Sequence, residues 1–206
     1  MNTRYDLINA FIKARKFRSF LEIGTTGGET FRAVDCERKV SVDPCKDANA
    51  TFQMTSDEFF AKNRDRFDIV FVAGFHEWHQ AERDVRNALK FLNDCGVVIM
   101  HDCKPDSEVC ARHLDEYEEP KGAWCGDVWK AFVKLRSSLP FAIYTWNHDW
   151  GCGVIDTKFI MTKNEKSLPE DVEDLTYKDF VEHPEWMGFR DEPLDIDFQQ
   201  VPEISL

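Results

Sequence analysis

No stretch of this 206-residue chain stays apolar for the roughly 20 residues that a membrane-spanning helix needs, so a membrane span is not expected. Cysteine pairing motifs are missing as well. The seven cysteines, at 36, 45, 95, 103, 110, 125 and 152, are odd in number and include no C-x-x-C pair. That argues against a disulfide framework and a structural zinc site. It makes a reducing cytoplasmic setting the default and leaves most of these residues as small core side chains. Positive charge is scarce: 26 Lys and Arg against 38 Asp and Glu give a net charge of −12. Such a surface repels phosphate backbones and anionic headgroups, so neither nucleic acid nor membrane is an expected partner. The first 16 residues hold Arg4, Asp6, Lys13, Arg15 and Lys16 among apolar positions, which reads as a short amphipathic helix and not a signal peptide. Internal repeats and low-complexity tracts are absent.

What is present is core-forming material, 43% hydrophobic with 13% aromatic, enough for one domain. Short apolar runs alternate with longer amphipathic ones. Strands are expected at 19–23, 40–43, 51–54, 67–73 and 97–100, and helices at 27–35, 57–64, 77–92 and 126–138. The 67–73 run is almost continuously apolar, as for a parallel strand covered on both faces. In 77–92, Ala81, Val85, Ala88, Leu89 and Leu92 form one stripe. The last two strands, 141–146 and 153–161, have no helix between them and should form an antiparallel hairpin. The polar segment 103–123, with Pro105, Pro120 and Gly122, is a long loop of the kind that is usually functional. From 164 on the chain is acidic and proline-punctuated, a surface tail with one short helix near 177–182. The organisation expected is a single domain at 1–163, opened by the helix at 1–17, with 164–206 as an acidic extension packed on it or trailing from it. The fold class is α/β, a doubly wound, mostly parallel, Rossmann-like sheet ending in the antiparallel hairpin.

In such sheets ligands lie beyond the carboxyl ends of the strands. The chemistry-bearing residues follow strands here: Gly24–Gly28, Asp43, Ser56-Asp57, Ala73–His76 and His101-Asp102. The loop Glu22-Ile23-Gly24-Thr25-Thr26-Gly27-Gly28 opens a helix, and its glycines admit a ligand close to the backbone. It is not the dinucleotide fingerprint G-x-G-x-x-G, because Thr26 and Glu29 occupy two of the required positions. A carboxylate at the helix start also disfavours a pyrophosphate. A nicotinamide oxidoreductase is therefore disfavoured, and an adenosine ligand without a pyrophosphate fits better. Asp43, 19 residues after Gly24, can accept hydrogen bonds from a ribose diol, and Asp57 can accept the exocyclic amine of adenine.

The segments FLEIGTTGGETF (20–31), VSVDP (40–44), SDEFF (56–60), FDIVFVAGFHEWHQAERDVRNALKFL (67–92), CGVVIMHDCKP (95–105) and GAWCGDVWK (122–130) resemble the small class I S-adenosylmethionine-dependent methyltransferases, in particular the group called methyltransferase domain 24. The resemblance covers about residues 18–160. It implies a seven-stranded sheet and S-adenosylmethionine as cofactor. By position it implies that Glu22, Gly24, Thr25, Thr26 and Gly28 wrap the methionine part, that Asp43 holds the ribose, that Ser56 and Asp57 read the adenine, and that Ala73 and Gly74 border the same pocket. Thr26 stands where the family carries a middle glycine, and Ala73 where relatives carry an aspartate.

Methyl transfer to a hydroxyl needs a positioned base, and histidine is the side chain whose ordinary pKa suits the task. His76 and His101 follow neighbouring strands at one end of the sheet, and Asp102 can orient an imidazole. A divalent metal at His76, His101 and Asp102 stays open without being expected, since hard cations prefer oxygen ligands. His76-Glu77-Trp78-His79 lacks the H-E-x-x-H spacing. Trp124 and Asp127 are the candidates for contacting an acceptor, taken to be a small molecule with a sugar or glycan-related hydroxyl; an assembly of identical chains is compatible with the sequence. Cys103 is taken as structural, and His148 and Asp149 as turn residues. The rival reading is a protein that binds S-adenosylmethionine without transferring its methyl group.

Overall fold

The structure is a computed structural model that describes residues 2–116, 123–161 and 168–194. Helix α1, Arg4–Arg15, starts at a reciprocal cap: Thr3 Oγ1 accepts from the Asp6 amide, and the Asp6 carboxylate accepts from the Thr3 amide. It stops at Lys16, which is left-handed with φ 55°. The amphipathic expectation for this helix needs correction. Six consecutive residues, Leu7 to Ile12, are buried, so the helix is enclosed on more than one stripe. Asn9 tolerates that burial because its amide donates to Ala33 O at 3.0 Å and its oxygen accepts from Asp35 N at 2.8 Å.

Next come β1 (Ser19–Ile23), α2 (Glu29–Ala33), β2 (Arg38–Val42), α3 (Ser56–Lys62), β3 (Phe67–Val72), α4 (Trp78–Lys90), β4 (Leu92–Met100), α5 (Val128–Ser138), β5 (Phe141–Trp146), β6 (Cys152–Ile160), α6 (Tyr177–Glu182) and β7 (Phe189–Arg190). They build one seven-stranded sheet in the order β2-β1-β3-β4-β6-β5-β7. The pairs from β2 through β4 are parallel, and β6 runs antiparallel to both β4 and β5. The α/β class and the terminal hairpin are as expected.

One of the seven strands is not the one expected from the sequence. The strand anticipated at 51–54 contracts to one parallel bridge between Val42 and Phe52. After that bridge the Met54 amide turns back to Phe52 O at 3.1 Å, and the ladder ends. The seventh strand comes instead from the acidic extension, where Phe189–Arg190 pairs in parallel with β5 at the opposite edge. That extension is a part of the packing and not only a tail: Val172 and Met187 are fully buried, and the Arg136 guanidinium donates to Glu185 O and Trp186 O. Its outer parts, at 164–167 and 195–206, and Pro120 and Gly122 of the long loop, lie outside the described residues.

Strand alternation assigns the two cores. Leu21, Val70, Val72, Val98 and Met100 face one layer with α3, α4 and α5. Phe20, Ile69, Phe71, Val97 and Ile99 face the other with α1. Burial of each such side chain contributes about 1.5–3 kcal/mol, so the parallel centre of the sheet is a rigid platform. Its carboxyl edge carries Gly24, Asp43, Ala73–His76 and His101-Asp102. Glu22 shares the α1 face with Phe20 and is buried there. Among the described residues no helix is long and apolar enough to cross a membrane.

Candidate functional site

At Gly24 the ends of β1 and β3 almost touch. A Cβ there would lie 2.2 Å from Ala73 O and 2.4 Å from Gly74 Cα, and φ is +84°, so only glycine fits. Thr26 is also left-handed, at φ 42°. A β-branched residue rarely adopts that conformation, which is the physical reason a glycine would suit position 26. Asp43 holds the loop in place. Its Oδ2 accepts from the Thr25 and Thr26 amides at 2.9 and 3.0 Å, and its Oδ1 accepts from Cys45 N at 2.8 Å. A carboxylate offers about four acceptor positions, so one is left on Oδ1.

Two cavities open on either side of this loop. One, of about 430 Å³, is lined by Gly24, Thr26, Asp43, Pro44, Ser56, Asp57, Ala73, Gly74, Phe75, Gln80 and Asp84 among others. The second, of about 360 Å³, is lined by Arg4, Glu22, Gly24, Thr25, Thr26, Glu29, Thr30, Ala73, His76, His101, Asp102 and Trp150 among others. They meet at Gly24, Thr26 and Ala73.

In the first cavity Asp57 is exposed and pairs with Arg83 at 3.0 Å. Asp84 is buried, and that burial pushes its carboxyl up to about 6 against the hydrogen bonds it accepts. Gln80 Nε2 donates to Asp84 Oδ1 at 3.0 Å and to Ser56 Oγ at 3.2 Å. Neither Gln80 nor Asp84 was expected at the site. A signal existed, since Asp84 interrupts the apolar stripe of α4 three residues after Ala81 and four before Ala88.

In the second cavity Glu22 Oε2 and Thr25 Oγ1 are buried without a hydrogen-bond partner. Burial pushes the Glu22 carboxyl up to about 8, although the charges of Arg4 and Lys39 pull the other way. Beyond it runs a chain of histidines and carboxylates. His76 Nδ1 meets Trp124 O at 2.8 Å, and His76 Nε2 lies 3.2 Å from Asp102 Oδ2. The same oxygen sits 3.1 Å from His101 Nδ1, and His101 Nε2 lies 3.4 Å from Asp149 Oδ1. Burial opposes charge on His101, yet the two flanking carboxylates outweigh it and carry its pKa up to about 9. Burial likewise works against Asp102 ionising, but His101 and His76 hold its carboxyl below the ordinary range. Asp149 was expected only as a turn residue. The turn is real, but Cys103 N donates to Gly151 O and Lys104 N to Trp150 O, which draws 149–151 onto the 102–104 segment and delivers Asp149 to His101.

His76, His101 and Asp102 are thus brought together beside the glycine loop. Trp124 adjoins them, its ring 5.3 Å from that of His76. Asp127 is not brought there: its Oδ1 accepts from Trp78 N, and it lines a separate cavity of about 200 Å³ bounded by His113, Lys130 and Tyr177. His79 stacks on Trp78 away from the site. Among the described residues no group of three or more His, Cys, Asp or Glu side chains is arranged to hold a metal ion. Cys103 is fully buried, and its thiol is pushed far up by that burial, which agrees with a structural role.

No family model matches the sequence, and no curated protein matches it either. Solved structures do match. An O-methyltransferase from Bacillus cereus in complex with S-adenosylhomocysteine is 16% identical with TM-score 0.51, over 74% of this chain and 80% of its own. The O-methyltransferase TomG from Streptomyces achromogenes, in complex with S-adenosylmethionine, is 18% identical with TM-score 0.51, over 75% of this chain and 79% of its own. The N-methyltransferase NodS from Bradyrhizobium japonicum is 15% identical with TM-score 0.50, over 78% of this chain and 95% of its own. At these identities the likeness establishes a shared fold.

Proposed function

We propose that this chain is an S-adenosylmethionine-dependent methyltransferase of the cytoplasm that methylates a hydroxyl of a small molecule, a sugar or glycan-related compound. The observation that carries the reading is the pair of cavities meeting at Gly24, where the sheet edge leaves no room for a Cβ. The residues present fit the cofactor. The larger cavity offers Asp43 Oδ1, Ser56, Asp57, Gln80 and Asp84 to a nucleoside, and the second offers the buried, unpartnered Glu22 Oε2 to an ammonium group. Bound there, the cofactor supplies an electrophilic methyl on a sulfonium.

The side chains around that point divide the remaining work. His101 keeps its proton at neutral pH and serves as a fixed positive charge between Asp102 and Asp149. The acceptor's proton therefore goes to His76. With Nδ1–H donating to Trp124 O, the base is the Nε2 lone pair; it points at Asp102 Oδ2, so the acceptor hydroxyl reaches it by taking that oxygen's place, and Asp102 stays with His101. Until then Asp102 orients the imidazole, and Trp124 supplies a flat face beside it for an acceptor ring. Calorimetry should detect S-adenosylhomocysteine binding, and methyl-labelled S-adenosylmethionine should pass its label to a member of a panel of sugars and other hydroxyl compounds. Absence of heat at saturating ligand would refute the reading.

A second reading keeps the cofactor and drops the transfer. Ala73 favours it, since no carboxylate extends from that position into either cavity. It predicts S-adenosylhomocysteine binding without label transfer to any acceptor, and gain of transfer on Ala73→Asp would locate the missing group.

A further inference from the structure

A sulfonium nucleoside of this class ends in an amino acid, and both charges of that zwitterion need partners. Among the described residues lining the two cavities, Arg4 is the single lysine or arginine. It comes from α1, outside every motif that the sequence offered for the cofactor. Its guanidinium is fixed from two sides: Nε donates to Thr30 Oγ1 at 2.7 Å, and Nη1 reaches Asp149 Oδ2 at 3.2 Å. The backbone amide of Arg4 donates to that same carboxylate at 2.6 Å, so the start of α1 is pinned to the turn after β5. The third partner is different in kind. Glu29 meets Nη2 at 3.0 Å with its side chain 65% exposed, a rim ion pair of the sort that contributes little in water and gives way to a better placed anion. Across the same cavity the buried Glu22 Oε2 and Thr25 Oγ1 have no hydrogen-bond partner. An aligned guanidinium and a buried carboxyl with one unpartnered oxygen thus face one space, the arrangement that a zwitterion fills.

We infer that Arg4 binds the α-carboxylate of the cofactor's methionyl end, displacing Glu29, while Glu22 takes its ammonium; this rests on the reading that S-adenosylmethionine occupies these cavities. With Nε and Nη1 held by Thr30 and Asp149, Nη2 is the nitrogen that the departure of Glu29 frees, a charge-assisted donor at a fixed position that lysine reproduces only in part. Arg4 is accordingly a residue that selects for the amino-acid end and not for the nucleoside.

The test is calorimetry on the full chain with two probes, S-adenosylhomocysteine and its decarboxylated analogue, which keeps the ammonium and loses the carboxylate. The wild type should prefer S-adenosylhomocysteine by about 10- to 100-fold, the range of a charge-assisted hydrogen-bonded pair. Arg4→Ala should abolish that preference by weakening S-adenosylhomocysteine alone, and Arg4→Lys should retain part of it. Thermal melts check that each variant folds, and Arg4→Lys decides the matter if Arg4→Ala does not. An undiminished preference in the variants overturns the assignment, and so does equal weakening of both probes, which would make Arg4 a brace of the loop. A wild type that binds neither probe defeats the cofactor reading itself.

Discussion

Glu22→Gln removes one proton site from the heart of the glycine loop with almost no change of shape, and its consequence for stability can be worked out. The ordinary glutamate value is 4.5, and burial raises Glu22 to about 8 in the folded protein. Between those two values the native state holds a proton that the unfolded chain has released. The stability from this site is therefore fully present below pH 4.5 and is lost as pH rises through about 8. Each pH unit in the window is worth ~1.4 kcal/mol, so the whole loss is roughly 5 kcal/mol as an upper figure. The glutamine variant has no such slope. Asp84 and His101 also titrate above their ordinary values, but they do so in both proteins and cancel in the comparison. Urea unfolding followed through the six tryptophans at several pH values from 5 to 8.5 measures the difference. Wild type should lose stability relative to Glu22→Gln by several kcal/mol across that range. Parallel curves would refute the reasoning, because they would mean that Glu22 is ionised in the folded protein.

Other outcomes follow from the same geometry. An arriving ammonium should ionise Glu22, so S-adenosylhomocysteine binding at pH 7 should release a proton in wild type and none in Glu22→Gln, as read by calorimetry in buffers of different ionisation heat. Gly24→Ala should destabilise by about 2–4 kcal/mol in chemical denaturation, from left-handed strain plus overlap with Ala73 and Gly74. Asp43→Ala should weaken S-adenosylhomocysteine by about 1–3 kcal/mol in calorimetry, since the loop loses two amide contacts and the ligand loses an acceptor. His101→Gln should cost ~3 kcal/mol at pH 6 by leaving Asp102 and Asp149 short of a cation; since the His101 contribution is present below 6.5 and lost through about 9, the gap to wild type in urea should narrow as pH rises. Treatment with EDTA should leave the rate of methyl transfer unchanged, and loss of rate restored by magnesium would contradict that expectation.

The parallel half of the fold was legible because its strands are buried on both faces and read as apolar runs, as Phe67 to Val72 do. The edges were not. Whether 51–54 forms a strand depends on where the chain turns after Phe52, and Phe189–Arg190 finds β5 only through the packing of Trp186 and Met187. Within the site, loop residues on the carboxyl edge followed from local rules, since Gly24, Asp43 and His101-Asp102 each end a strand. What escaped came from far away in the chain. Arg4 arrives with a helix and Asp149 with a turn, 145 residues apart, and only the folded sheet puts them in one hydrogen bond. Asp84 was nearer at hand, an acid on an apolar stripe. Asp127 was misleading for a comparable reason: its place in the G-D-V-W-K run suggests the site, but its hydrogen bond to Trp78 N turns it toward a different cavity.

The most direct measurement is a crystal structure of the protein grown with S-adenosylhomocysteine. Electron density should run continuously through both cavities, the adenosine beside Asp43 and Asp84 and the amino-acid end between Arg4 and Glu22. A nucleoside bound anywhere else on the molecule, or well-ordered cavities holding only solvent at saturating ligand, would contradict the account.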